Sequence, residues 1–255
     1  MTRPSEDIEC VRSLLLAGLS QAEVARQTGV PRGTVRTWIT LGTDSVLVAR
    51  RAHEHAVHHG AGDCELVRTV PESQYAYLLG LYLGDGCISL THRPGVFRLR
   101  IALDERYVAI IAECQAAMAR VLPNKVGIVQ NPGCVTVGSY SRHWPCMFPQ
   151  HAVGKKHLRP IALQPWQETI ALTRHPRLLL RGLIQSDGYR GMNRIRGRYS
   201  YPRYSFSNRS DDIRGIFLEA CRRVGIAARP NGPWQVSVSR RDDVALMDTF
   251  VGPKR

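Results

Sequence analysis

Leu78-Leu79-Gly80-Leu81-Tyr82-Leu83-Gly84-Asp85-Gly86 decides how the chain reads, because the pattern returns as Leu180-Arg181-Gly182-Leu183-Ile184-Gln185-Ser186-Asp187-Gly188. The two Asp residues are 102 positions apart (187 − 85), the length of a small domain. Each copy is an apolar helical run that stops at Asp-Gly. Gly80 and Gly84 share a helix face at i,i+4, as do Gly182 and Ser186. Small residues at that spacing let two helix backbones approach closely. Gly86 and Gly188 suit the left-handed position that ends a helix, so each Asp falls in a last turn beside outward-pointing carbonyls. If the two helices pack parallel through their small residues, Asp85 and Asp187 emerge side by side. Two carboxylates at two helix C-termini repel each other and the helix dipoles. A hard cation such as Mg²⁺, which accepts carboxylate, carbonyl and water oxygens, removes the conflict.

The paired motif resembles the LAGLIDADG homing endonuclease family in its single-chain, two-motif form. Both final acidic positions are present. The motif's earlier acidic position is Leu83 in one copy and Gln185 in the other, a departure that bears on helix packing more than on chemistry. The resemblance implies an α+β fold of two pseudo-twofold-related αββαββα halves whose curved sheets lie along a DNA duplex. It implies Asp85 and Asp187 as catalytic metal ligands, two or three Mg²⁺ ions, and Ca²⁺ supporting binding without cutting. It further implies a double-strand cut across the minor groove of a long site by a monomer. Family members place a basic residue late in each half; Lys156 and Lys254 are the candidates, with Lys155, Arg142 and Arg240 as rivals.

A second echo supports the repeat. Ser139-Tyr140-Ser141-Arg142 matches Ser237-Val238-Ser239-Arg240. Lys156 lies 15 residues beyond Ser141 and Lys254 lies 15 beyond Ser239 (156 − 141 and 254 − 239), each in Val-Gly-x-Lys.

Composition agrees with a polyanionic partner. The 255 residues carry 35 Lys and Arg against 21 acids, a net charge of +14 and a pI near 10.0. The cations are spread over the whole chain, which suggests folded surfaces facing a polyanion rather than a basic tail; the resemblance implies that this partner is double-stranded DNA. No apolar run approaches a membrane span, and the N-terminus has no signal-peptide core. Seven cysteines with no Cys-x-x-Cys pair read as reduced thiols. The expected location is a bacterial cytoplasm, on the nucleoid.

Ahead of the repeat, residues 6–41 read as three short helices. Ser20 with Glu23 forms a capping box for the second, and Pro31 opens the third. Val35, Trp38 and Ile39 are its expected buried stripe. The run Leu19 to Trp38 resembles the helix-turn-helix units of resolvase-like and homeodomain-like DNA binders. That resemblance puts Arg32, Thr34, Arg36 and Thr37 in a major groove. The expected organisation is a DNA-binding domain over 1–45, a His-rich linker over 46–70, and LAGLIDADG halves over 71–160 and 161–255. The linker's histidines and Cys64 are spaced too irregularly to suggest a zinc site.

In the first half, Phe97, Leu99, Ile101 and Leu103 alternate with Arg98 and Arg100, a half-buried strand with a cationic outer face. In the second, Arg190, Arg194 and Arg196 sit in a basic strand-and-turn region and Arg203 on the next strand. All are expected to meet DNA. The competing readings are a non-cutting transcriptional regulator derived from the same scaffold and an RNA-splicing maturase. The retained Asp pair favours the nuclease.

Overall fold

The computed structural model describes residues 4–44, 46–47, 64–152, 154–195, 199–252 and 254. Three helices come first, α1 Ser5–Leu16, α2 Gln21–Thr28 and α3 Arg32–Leu41. Ser20 and Glu23 cap α2 reciprocally, and Gly29 ends it at φ 65°. Ile8, Val11, Val24, Val30, Val35 and Trp38 form a core separate from the rest of the chain. Ile39, expected within that core, is 37% exposed. Two short helices cover only the Val35–Trp38 edge of α3, and Ile39 lies one 100° step beyond it.

Most of the expected linker, residues 48–63, lies outside the described residues. The chain resumes at Cys64 with a one-turn helix, α4 Glu65–Arg68. Val67 and Val70 are buried in the main core, so the segment just before Pro71 belongs to the scaffold.

Two halves then run through one element order. The first has α5 Glu72–Asp85, β1 Gly86–Leu90, β2 Phe97–Asp104, α6 Val108–Val121, β3 Val126–Asn131 and β4 Cys134–Ser141. A short helix, α7 Trp144–Met147, and a 3₁₀ turn, Lys156–Leu158, close it. α8 Pro165–Glu168 and a π-helical stretch, Thr169–Arg174, lead to the second half. That half has α9 Pro176–Asp187, β5 Gly188–Ile195, β6 Tyr199–Ser207, α10 Asp211–Val224, β7 Ala228–Pro230, β8 Gln235–Val238 and α11 Arg241–Asp248. The sheets are antiparallel with matching strand orders, β1-β2-β4-β3 and β5-β6-β8-β7. The fold is therefore the expected α+β pair of αββαββα halves. β7 is only three residues long and ends in proline, too short for a period of two to be read.

α5 and α9 are the central pair, and they touch backbone to backbone. A methyl group on Gly80 would stand 2.5 Å from the Leu179 carbonyl oxygen. One on Gly182 would collide with the Tyr77 carbonyl, and one on Gly84 with the Ser186 side chain. Gly80 thus meets Gly182 and Gly84 meets Ser186, so the helices run parallel and end together. Gly86 and Gly188 differ from expectation. Both are extended, at φ −80° and −113°, and each begins a strand. Space requires glycine there: a methyl group on Gly86 would stand 2.5 Å from the Tyr82 Cα, and one on Gly188 2.7 Å from the Ile184 Cδ1.

The Ser-x-Ser-Arg echo is one residue out of structural register. Gly86 pairs with Ile101 and Gly188 with Phe206, so Leu99 corresponds to Tyr204. Leu99 pairs with Ser139, but Tyr204 pairs with Val238. Burial explains the shift: Ser139 and Ser141 point inward, whereas in β8 Val236 and Val238 take the inward positions and Ser239 is exposed. The pleat follows hydrophobic burial rather than residue identity.

Candidate active site and nucleic-acid interface

The helix pair delivers both carboxylates to one place. A methyl on Gly84, the neighbour of Asp85, would lie 3.2 Å from the Asp187 carboxyl carbon. Burial pushes the Asp85 carboxyl up to about 6, and repulsion from Asp187 adds to the rise. Burial raises Asp187 as well, but the Asn208 side-chain amide donates to its Oδ2 at 2.6 Å and pulls it back. The ammoniums of Lys156 and Lys254 oppose both shifts.

Lys156 reaches the end of α5. Its Nζ donates to the carbonyls of Leu83 at 2.9 Å and Gly84 at 2.8 Å, and to that of Tyr82, and sits 5.0 Å over the Tyr82 ring. Burial lowers its proton affinity to about 8, against attraction from Asp187 and then Asp85. Lys254 takes the matching place on α9, donating to the Ser186 carbonyl at 3.2 Å. Burial lowers its proton affinity too, against attraction from Asp85 and then Asp187. Both lysines donate to carbonyls of the last helical turn, where Leu83, Gly84 and Ser186 have no onward helical amide.

Two clefts flank the helix ends. One, of about 290 Å³, is lined by Leu83, Gly84, Lys156, His157, Asp187, Ser207, Asn208 and Arg209. The other, of about 260 Å³, is lined by Asp85, Leu103, Asp104, Tyr107, Ile110, Gln185, Ser186 and Lys254. Each therefore combines the aspartate of one half with the lysine of the other.

The donor set fits a hard divalent cation. Two carboxylates, both raised above their ordinary range chiefly by burial, sit among helix-end carbonyls and a side-chain amide. Mg²⁺ is commonly bound by one or two carboxylates, with waters and substrate phosphate filling the remaining positions. Asp85 and Asp187 are the residues that would hold it.

The expected DNA-binding residues divide by pleat. Arg98 and Arg100 point away from the core of the first sheet, flanked by inward Phe97, Leu99 and Ile101. Arg98 lies over the Tyr140 ring at 5.4 Å. Both arginines keep a buried Nε without a hydrogen-bond partner. Arg203 is outward on β6, on the face shared by Tyr199, Tyr201 and, across the ladder, Tyr189. Tyr199 and Tyr201 stack at 6.3 Å, and Tyr201 is 52% exposed. Arg190 falls on the opposite pleat. Its Nε and Nη2 meet the Asp248 carboxylate at 2.7 and 2.9 Å, and Tyr204 donates to the same carboxylate. Arg190 is thus a clasp to α11 rather than a cation on the outer face. Exposed Arg194 shares the pleat side of Arg190, and Arg196 lies outside the described residues. In α3, Arg32, Arg36 and Thr37 are exposed and Thr34 half-exposed.

The residues that pattern reading misses are Asn208 and the outer tyrosines. Asn208 has no counterpart by identity, because Leu103 holds the matching strand position. The tyrosines could have been found, since Tyr199, Tyr201 and Arg203 alternate at period two.

No protein-family model and no curated protein matches the chain. Solved structures do. The chain is similar to mesophilic variants of the homing endonuclease I-DmoI at 15% identity, covering 73% of this chain and 97% of that one, with a TM-score of 0.47. It is similar to I-DmoI G20S in complex with its target DNA in the presence of 2 mM Mg at 16% identity, 74% and 99% coverage and a TM-score of 0.48. It is also similar to the N-terminal LAGLIDADG domain of DUF199/WhiA at 14% identity, 75% and 88% coverage and a TM-score of 0.44. No helix among the described residues is long and apolar enough to cross a membrane.

Proposed function

We propose that the chain is a site-specific DNA endonuclease that cuts both strands of a long recognition site, one in each cleft. One observation carries the reading: two parallel helices in backbone contact end in half-buried aspartates, each sharing a cleft with a lysine from the other half. A fold stabilised for its own sake gains little from two half-buried acids side by side at two negative helix ends.

Mg²⁺ held by Asp85 and Asp187 would neutralise charge on the phosphate and lower the pKa of an attacking water. The chain supplies the rest. Asn208 fixes the rotamer of Asp187. The Lys156 Nζ, with a proton affinity near 8, can hold or yield a proton near neutral pH and presents charge where the phosphorane develops. Lys254 takes that role in the second cleft. Arg98, Arg100 and Arg203 offer guanidiniums to backbone phosphates, and the outer tyrosines offer π-faces. Arg32, Thr34, Arg36 and Thr37 on α3 would extend the contact into a major groove and raise specificity by linkage of two sites.

The test is cleavage of a DNA library in Mg²⁺, followed by Asp85→Asn and Asp187→Asn on the selected target. Each variant should lose cutting and keep binding in Ca²⁺. Normal double-strand cutting by either one defeats the assignment. Tight, specific binding by the unaltered protein with no cutting in any divalent ion would make it a regulator on a nuclease scaffold.

A further inference from the structure

Cys64, His143 and Cys146 come together where the scaffold first receives the chain from the N-terminal helices. Their ligand atoms, two Sγ and one imidazole nitrogen, all lie within 4.8 Å of one another. The Cys64 Sγ is 3.6 Å from the His143 Nδ1. Among the described residues this is the one group of three or more Cys, His, Asp or Glu side chains whose ligand atoms cluster in this way.

The backbone beneath it is firmly held. His143 and Cys146 are spaced i,i+3 across the first turn of α7, so they share one face. That turn is anchored from both sides. The Trp144 Nε1 donates to the Ser139 carbonyl at 3.1 Å, and the Tyr75 hydroxyl donates to the Met147 carbonyl at 2.6 Å. The His143 amide donates to the Ser141 Oγ at 3.1 Å. Cys64 arrives from a distant part of the chain, at the N-cap of α4, and buried Val67 pins that helix to the core. All three ligand residues are only half-buried, so an ion can enter. All seven cysteines are free thiols.

We propose that Cys64, His143 and Cys146 bind a zinc ion that clips the entry segment to α7. Two thiolates and an imidazole are a soft donor set that suits Zn²⁺ and not Mg²⁺, with a water or another donor completing a tetrahedron. The ion would be structural. It would tie the strand-closing turn to the point from which the N-terminal helices are tethered, and so limit the positions they can reach.

The test is metal analysis of the full chain, purified without a histidine tag under reducing conditions, with Co²⁺ exchange as a second readout. One zinc per chain is expected. The Co²⁺ form should show tetrahedral visible bands and thiolate-to-metal absorption in the near ultraviolet. Cys64→Ser with Cys146→Ser should reduce both to background, while Asp85→Asn with Asp187→Asn leaves them unchanged. Sub-stoichiometric zinc in the reduced protein overturns the proposal. So does zinc that survives the double serine variant. A Cys64–Cys146 disulfide, found by mass in protein whose reduced form still takes up no zinc, also overturns it. If the serine variant fails to fold, His143→Ala with the same cobalt spectrum decides: an unchanged spectrum counts against the site.

Discussion

The two clefts share a backbone and differ in charge. In one, Asp187 accepts a hydrogen bond from Asn208, and Arg209 stands at the rim. In the other, the matching strand positions are Leu103 and Asp104, so neither supplies Asp85 with a counterpart of the Asn208 hydrogen bond. Asp104 is itself kept ionised, down to about 2, by hydrogen bonds from Arg106. One cleft therefore offers a substrate phosphate more positive charge, and the other offers a cation more negative charge. Duplicated topology sets where the acids sit, and single side chains at one strand end set how strongly each one needs a cation.

That difference can be tested at several scales. The largest effect should come from the lysines. Lys156→Met and Lys254→Met should each slow cutting of one strand by about 10²- to 10³-fold and leave nicked rather than linear plasmid. Equal loss on both strands in either variant would mean that the clefts work as a single site.

The second handle is pH. Asp85 must be ionised to hold a cation, and its carboxyl titrates near 6. Metal-dependent cutting should thus fall about tenfold per unit as pH drops below that value. Leu103→Asn, which installs the amide that Asp187 already has, should move the midpoint down. A midpoint indifferent to that change would show that the strand-end amide does not set the asymmetry.

Stability of the metal-free protein gives a third. The folded-state value for Asp85 lies above its ordinary 3.8, so the folded chain binds this proton more tightly than the unfolded chain does. The group's contribution is fully present below 3.8 and is lost as pH rises through about 6. Asp85→Asn should accordingly stabilise the metal-free protein at neutral pH by up to about 3 kcal/mol, read by urea denaturation. Asp187→Asn should give less, since the Asn208 amide already supports the charge there.

The smallest contrast lies on the sheets. Arg100→Ala should weaken DNA binding several-fold and reduce the salt slope by about one counterion. Arg190→Ala, on the other pleat, should leave that slope alone and cost under about 1 kcal/mol of stability, because its ion pair is partly exposed.

The framework was legible because backbone contact demands small residues at fixed spacing. Gly80, Gly84, Gly182 and Ser186 announce the helix pair, and the Asp that ends each run marks the candidate site. The alternation from Phe97 to Leu103 announces a half-buried strand with equal clarity. What stayed hidden depends on distance in sequence. Asn208 reaches Asp187 across a strand end, and Cys64 meets His143 across 79 residues. Arg190 looks like any basic residue on a strand until the pleat turns it toward Asp248. The glycines after each Asp suit a left-handed helix end by sequence, yet the structure needs them for space: crowding rather than dihedral angle. The Ser-x-Ser-Arg echo shows the opposite hazard, a likeness of letters that the pleat contradicts by one step.

The crossed ownership of the clefts carries a consequence for ancestry and for engineering. Were the gene divided between Arg174 and Pro176, each fragment would carry an acid separated from the ammonium that shares its cleft. On the proposed function, neither piece alone could assemble one complete half-reaction, and activity would return only when the fragments reassociate through the glycine seam. A protein built from two identical copies would meet the same condition, with dimerisation itself acting as a safety catch.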